Sequence, residues 1–597
     1  MSKIVFPSAV SSKKNRFDVS STHITTLDIG QIRPVNILPA NEGDSFDVRM
    51  SEFSRLAPLA VPAFGTFRLK TQAFFVPLRV IWQDYMKYIS RSVDNSTTLN
   101  VPRFSLGALI DFIFGFDTST SAGWQSASSS DYVTIVATNS FDICWQTNSS
   151  TIAHKAVFTS KGRWLYNTLV SLGYEIPLTI DTNEWNLGST SVLRNTYFSA
   201  LPLLAYGRCL YDFIYPSRYV QQQGFGFLFE GLIDFDQPSV WLPKFFDLLF
   251  TPYSQDFFNS LWVSPNSPAV GQQQSFASTN IQNVDGSGVA LKGTADDNTV
   301  LIQQGSNSYT TTASQNALRW LMKVSDYMMR NNLGGTRFNE WMKAHFNHVS
   351  KLELSYMSTF IKSWDDVINI DPVVSQTENT GARLGDMAAT AKGSISDKFH
   401  YECDERGYLI FISQVLPVTE CYQGLKPWCH DIESPFDFYT PDFDGMGFEG
   451  VPLKDVYFGG SAHSPIDIRT PNAVFGYSPR YTNRYKRQNH YLSGDFRFDS
   501  RNANLEAYHT LRNLAYGKSY GSTLSLNRDF LEVDNQYNRI FAADPTDANR
   551  KSLYDKIFTI FRFDVQKYSH MLSVSESIPF FDKSGEKVEM PYLGNNH

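Results

Sequence analysis

Cysteine is scarce in this sequence, and what there is lies scattered. Five occur among 597 residues, at Cys144, Cys209, Cys403, Cys421 and Cys429. An odd number without C-x-x-C spacing argues against a disulfide framework and suits a reducing compartment. Long hydrophobic runs are missing: no stretch approaches the roughly 18 apolar residues of a transmembrane helix, so no membrane insertion is expected. The N-terminus, MSKIVFPSAVSSKKNRFDVS, has no long apolar segment and does not read as a secretory signal. Charge is also sparse. Charged residues make up 19% of the chain while aromatics reach 15%. That balance leans toward large buried interfaces, where aromatics are enriched and charge is depleted. With 52 basic against 59 acidic residues the formal net charge is −7, so any contact with nucleic acid must be local.

Signatures of catalysis and cofactor binding fail at the positions that matter. No G-x-x-x-x-G-K-[ST] or G-x-S-x-G occurs, and Gly224-Phe225-Gly226 followed by Gly231 misses the dinucleotide spacing. His400-Tyr401-Glu402 followed by Pro427-Trp428-Cys429 echoes a zinc deaminase, but position 432 is Ile432 where a second thiolate is needed. His345 and His348 are three apart without the intervening glutamate of a zincin, and His345 is expected in a core or an interface. Pro441-Asp442-Phe443-Asp444-Gly445 departs from the calcium-loop pattern and reads as a turn. Asp365-Asp366 is one of the chance acidic pairs that 59 acids guarantee. No enzyme, cofactor or metal site is expected.

What is present is strand alternation at both ends of the chain. Phe46, Val48 and Met50 alternate with Asp47 and Arg49. Phe67, Leu69, Thr71, Ala73 and Phe75 alternate with more polar neighbours until Pro77. Ile557 to Val565 and Tyr408 to Val415 alternate as well, the former with both faces apolar, which predicts a central strand. Strands at both extremes with helices between them predict a mainly β fold with helical insertions, an antiparallel jelly-roll sandwich closed by non-local pairing. Helical patterns fall near 80–89, 161–172, 201–214 and 318–349. In the last, two amphipathic helices flank Leu333-Gly334-Gly335-Thr336-Arg337. Gly334 and Gly335 suit a left-handed C-cap and Thr336 an N-cap, and Phe338, Trp341, Met342, His345, Phe346 and Val349 form an apolar stripe. Residues 117–161 and 265–316 are polar insertions. The first holds a short strand-like run, DYVTIVA at 131–137, and otherwise reads equally as linker or protrusion; the second is expected to be a surface protrusion.

Two basic features stand out. The N-terminal arm, residues 1–20, carries Lys3, Lys13, Lys14 and Arg16 before its first acid, Asp18. A mobile basic arm reaches phosphates without reading bases. The second is Arg480, Arg484, Tyr485, Lys486 and Arg487, in a stretch with no acid up to Gly494. Cations interleaved with aromatics suit single-stranded nucleic acid. The alternative for both is a solvated face or a bridge between subunits.

Six elements, in order along the chain, carry a family resemblance. They are Arg16-Phe17-Asp18-Val19-Ser20; Phe74-Phe75-Val76-Pro77-Leu78-Arg79 with Trp82; Ala200 to Tyr206; and Asp256-Phe257-Phe258 with Leu261-Trp262-Val263-Ser264-Pro265. The helix–GGTR–helix and Val474-Phe475-Gly476-Tyr477 with Arg480-Tyr481 and Arg484-Tyr485 complete the set. Together they resemble the major capsid proteins of the Microviridae, in particular the gokushovirus-like branch. Residues 117–161, residues 265–316 and Asn331-Asn332-Leu333 depart from that pattern, which implies a divergent member. The resemblance implies one eight-stranded jelly-roll subunit spanning 1–597, copies of which build a T=1 icosahedral shell around a circular single-stranded DNA genome. It also implies a minor DNA pilot protein, an internal scaffolding protein and a host surface receptor as partners. It implies assembly in a bacterial cytoplasm, residence in the virion, and 265–316 as the outward projection. The competing reading, an extracellular carbohydrate-binding β-sandwich, would use the aromatics to stack sugars but lacks the signal peptide it needs.

Overall fold

The computed structural model describes residues 14–59, 63–82, 84–90, 101–106, 162–175, 196–215, 251–263, 315–334, 338–348, 357–374, 387–418, 421–430, 435–445, 447–458, 473–487, 491–497, 505–514, 524–533, 535–541 and 555–571. It also describes the short pieces 114–116, 132–137, 143–147, 155–158, 179–181, 292–293 and 300–301, and positions 245, 249 and 432.

Nine strands form the main sheet: β1 (Asn15–Asp18), β2 (Ser21–Leu27), β3 (Ile32–Ala40), β4 (Ser45–Leu56), β5 (Thr66–Pro77), β6 (Thr359–Val374), β7 (Met387–Glu402), β8 (Gly407–Pro417) and β9 (Ile557–Ser569). Their order is β1-β9-β4-β7-β6-β5-β8-β3, β2 also pairs with β9, and all pairings are antiparallel. The expected class, mainly β and antiparallel with helical insertions, is the one adopted. The count differs from the expected eight because the N-terminal segment supplies two short strands along the same partner. The Ser20 hydroxyl donates to Asp18 Oδ1 at 2.5 Å and accepts the Val565 amide at 3.0 Å, which interrupts the ladder between them.

The strands alternate because one face is buried. Phe46, Val48 and Met50 of β4, Phe67 and Leu69 of β5, Leu409 and Phe411 of β8, and Phe561, Phe563 and Val565 of β9 share one core. Four strands separate β8 from β9 along the ladder. Laid flat, they would sit roughly 24 Å apart at about 4.8 Å per step. The Phe411 and Phe563 rings are 4.8 Å apart, so the sheet folds over its own apolar face and the two halves pack as a sandwich. Buried ion pairs close the seam. Arg33 of β3 holds Asp555, just before β9, through two nitrogens at 2.8 and 3.1 Å, and Thr26 donates to the same carboxylate at 2.5 Å. Lys567 meets Asp44 at 2.9 Å.

A second core lies outside the sandwich. The outer faces of β3, β5 and β8 present Ile32, Phe74, Val76, Ile410 and Ile412 to a helical layer containing α1 (Leu78–Ile81), α2 (Gly162–Ser171) and α3 (Leu201–Cys209). Trp164 and Tyr206 both donate to the Ile32 carbonyl, at 2.9 and 2.6 Å. This cover explains why β5 and β8 are apolar on both faces while β4 alternates. β9 is central, as its pattern predicts, but its outward Phe558 and Arg562 remain exposed.

The polar insertion 117–161 is not wholly irregular. Its β-branched residues form Tyr132–Ala137, Ile143–Thr147 and Lys155–Phe158, which join Phe114–Phe116 and Thr179–Asp181 in a five-stranded antiparallel sheet. Within 265–316 the described residues include one short pair, Lys292–Gly293 with Val300–Leu301. The predicted helices are α4 (Gln315–Gly334) and α5 (Phe338–Phe346). Gly334 is helical and not left-handed, so the cap reading is corrected at that residue. A Cβ there would lie 2.6 Å from that of Ala344, and glycine is required because the helices approach closely. Gly335, Thr336, Arg337 and Val349 lie outside the described residues. Among the described residues no helix is long and apolar enough to cross a membrane.

Candidate nucleic-acid interface

The Arg480–Arg487 stretch sits where three separate segments meet. A hairpin pairs Phe448–Pro452 with Val474–Pro479, and Trp262 adds a bridge to Tyr477 through bonds of 2.9 and 2.7 Å. Gly476 allows this approach, since a Cβ there would lie 2.9 Å from that of Leu261. The chain then turns at Tyr481, a buried residue held at φ 65. A bulky residue is strained in this left-handed region. The carboxylate of Glu449 accepts the Tyr481 and Asn483 amides beneath the turn, and burial raises its pKa above the usual carboxylate range. One helical turn follows, α6 (Thr482–Tyr485).

Four of the five predicted residues come together, and Arg480 lies outside the cleft they line. Arg484, Tyr485, Lys486 and Arg487 line an open cleft of about 610 Å³ with Trp428. Most of its cations are engaged within the subunit. Arg484 donates to the carbonyls of Asp437 and His430 at 3.2 and 3.1 Å. Lys486 pairs with Asp444 at 2.8 Å, a contact that lowers the Asp444 pKa and raises that of Lys486. Arg487 lies 3.4 Å above the Phe257 ring and donates to Asn483 at 3.1 Å. Arg480 stacks on Phe443 and Tyr481. Tyr485 is half exposed, and its hydroxyl accepts the Tyr439 amide at 3.2 Å. Tyr491, at the end of the same basic stretch, stacks under Lys426 at 4.1 Å. Sequence reasoning missed Trp428 and Tyr439, which add exposed aromatic surface to the region. No spacing rule links these two to Arg480, since they lie on other turns.

The N-terminal cations are divided. Lys3 and Lys13 lie outside the described residues. Lys14 is exposed. Arg16 belongs to β1, not to a free arm: it donates to Gln566 at 2.8 Å from an edge strand. The arm reading is therefore corrected at its C-terminal end, because residues 15–18 find a ladder on β9.

The remaining singled-out residues sit apart from this cleft or take structural positions. His400 is exposed on β7 against Asp47, 2.6 Å away, and this carboxylate raises its pKa. His345 packs between Tyr327 and Trp341 and meets Asn331 Oδ1 at 2.6 Å. Phe346 of the same stripe is 63% exposed.

A folded-over antiparallel sheet with helices inserted between distant strands, and exposed aromatic and cationic surface outside it, defines the class: a β-sandwich protein with helical insertions. The chain belongs to the capsid protein (F protein) family, whose model matches residues 6–144 and 258–579. It is 23% identical over 579 residues to capsid protein VP1 of Bdellovibrio phage phiMH2K, covering 94% of each chain. It is 21% identical to capsid protein VP1 of Chlamydia phage 1 over 89% of this chain and 91% of that one. A shorter match, 24% over 89 residues, is to capsid protein VP1 of Spiroplasma virus 4. The Microviridae resemblance is thus met, and the chain is a structural capsid protein of the virion.

Proposed function

We propose that this chain is the repeating subunit of a T=1 icosahedral shell enclosing a circular single-stranded DNA genome, assembled in the cytoplasm of a bacterial host. The supporting observation is the family match on both sides of residues 145–257, which covers all nine strands of the sandwich. In this reading the subunit has no enzymatic role. Its partners are further copies of itself, the genome, a minor DNA pilot protein, an internal scaffolding protein and a host receptor met by the 265–316 projection. DNA is contacted without base specificity by Lys3, Lys13, Lys14 and Arg16, by Arg480, and by the cleft of Arg484, Tyr485, Lys486 and Arg487.

Expression under assembly conditions, followed by negative-stain microscopy and light scattering, tests the shell. Uniform small particles are expected, and a strictly monomeric protein with or without viral partners would overturn it. Replacing Lys13, Lys14 and Arg16 with glutamine is expected to lower packaged DNA at raised salt. Unchanged DNA content and salt response would remove the N-terminal contribution.

A further inference from the structure

A second cationic surface differs from the cleft because, among the described residues, its cations form no ion pair and no side-chain hydrogen bond within the subunit. β2, β9, β4 and β7 lie side by side, and register fixes a grid of outward residues. Phe558 stands beside Arg55, Ile560 beside Phe53, Arg562 beside Ser51, and Asp564 beside Arg49. Across β4, Phe53 faces Ser394, Ser51 faces Ser396, and Arg49 faces Lys398. Ile24 of β2 flanks Ile560.

Arg49, Arg55, Lys398 and Arg562 are all exposed, and among the described residues none of them forms an ion pair. Ile24, Phe53 and Phe558 are 75%, 37% and 39% exposed, and Arg55 lies 5.0 Å over the Phe53 ring. Asp564 is the acid within these rows. Asp47, the next acid along β4, is held by His400. The opposite side of these strands is the closed core, so the outward cations and rings play no part in packing it.

Unpaired cations interleaved with exposed rings match a polyanion that carries planar apolar groups. That is the chemistry of a single nucleic-acid strand, whose phosphates meet the cations while bases stack on the aromatics. An acidic protein surface would satisfy the cations but leave the rings without their stacking partners. The face also continues into the N-terminal cations: Arg16 is in register with Tyr568 of the same β9 row. From Phe558 to Tyr568 it runs about 34 Å.

We propose that the outer face of β9, β4 and β7 is a sequence-independent track for single-stranded DNA, with Arg49, Arg55, Lys398 and Arg562 on phosphates and Phe53 and Phe558 under bases. The assignment rests on the reading of the shell as enclosing single-stranded DNA.

The test uses the purified, unassembled full chain and fluorescein-labelled oligo(dT), with anisotropy measured across a sodium chloride series. A parallel series uses oligoglutamate. The R49Q/R55Q/K398Q/R562Q variant is expected to flatten the slope of log affinity against log salt by about 2.8, at roughly 0.7 per lost phosphate contact. F53S/F558S is expected to weaken oligo(dT) at least tenfold and leave oligoglutamate unchanged. Each single substitution, checked by thermal melting, replaces the multiple variant if that fails to fold, with an expected change of about 0.7. An unchanged slope overturns the track, and so does loss of particles with DNA binding intact, which would assign the face to a protein neighbour. Either outcome leaves wild-type particle formation, and hence the shell reading, untouched. Absence of wild-type particles would instead strike the shell reading.

Discussion

Glu52 should make this subunit less stable as the medium turns alkaline. It lies on β4 with its side chain inside the sandwich, 3% exposed. Thr71 of β5 donates to one carboxyl oxygen at 3.1 Å and is itself 3.2 Å from Ser413 of β8. The other oxygen is buried without a hydrogen-bond partner. Register places Phe561 and Ile395 on either side, and Asp366 of β6 adds like charge. Burial, first, and then Asp366 push the Glu52 pKa from 4.5 up to about 8. The native state therefore keeps its proton after the unfolded chain has lost it. The stability tied to this group is full below pH 4.5, falls as pH rises, and levels off above about 8. At about 1.36 kcal/mol per pH unit the whole interval is worth about 5 kcal/mol. Glu52→Gln keeps the shape and cannot ionise. Melting of the unassembled full chain at pH 5, 7 and 9 should show wild type falling well below the variant at pH 9, and the two converging at pH 5. Other carboxyls titrate in both proteins, so the difference isolates Glu52. Parallel melting curves at all three values would refute the burial argument.

Three further perturbations read other parts of the fold. Asp555→Asn removes the buried partner of Arg33 at the seam and should cost about 3–5 kcal/mol in urea unfolding; a loss under 1 would mean the seam is wet. Gly334→Ala should loosen the α4–α5 hairpin through its collision with Ala344, changing Trp341 fluorescence, and Ala344→Gly added to it should restore the signal. His509 is buried, and desolvation, with Arg539 nearby, lowers its pKa to about 4 from 6.5. Stability tied to it is present above 6.5 and falls as pH drops toward 4, so His509→Gln should flatten the acid side of the melting profile.

Much of the fold was legible because the recognisable elements are contact partners. Leu261-Trp262 pairs with the Phe475-Gly476-Tyr477 strand, Phe257 carries Arg487, and Phe74 and Val76 pack in one core with the Leu203–Tyr206 helix. Constraints of that kind leave fixed residues in fixed order. Alternation marked β4, β5, β8 and β9 because each buries a face. The engagement of the cationic stretch was not legible, since Asp444 lies 42 residues from Lys486 and no local pattern joins them. Likewise Arg33 finds Asp555 across 522 residues. Gly334 read as a cap because composition shows a missing side chain but not the Ala344 it makes room for. Within 117–161 the strand-like run 131–137 was legible and forms the strand Tyr132–Ala137, but the strands it pairs with were not, because their low apolar content carries no clear alternation.

β9 lies between β4 on one side and β1 and β2 on the other, and Asn15 reaches Met571 across 556 residues. β1, β2 and β4 are therefore synthesised well before the β9 strand they pair with. Pairings of such high contact order form slowly, and until they form, β4 and the N-terminal strands present open edges. A chain that stops before residue 557 lacks the strand that joins its two ends, so incomplete translation products cannot close the sandwich.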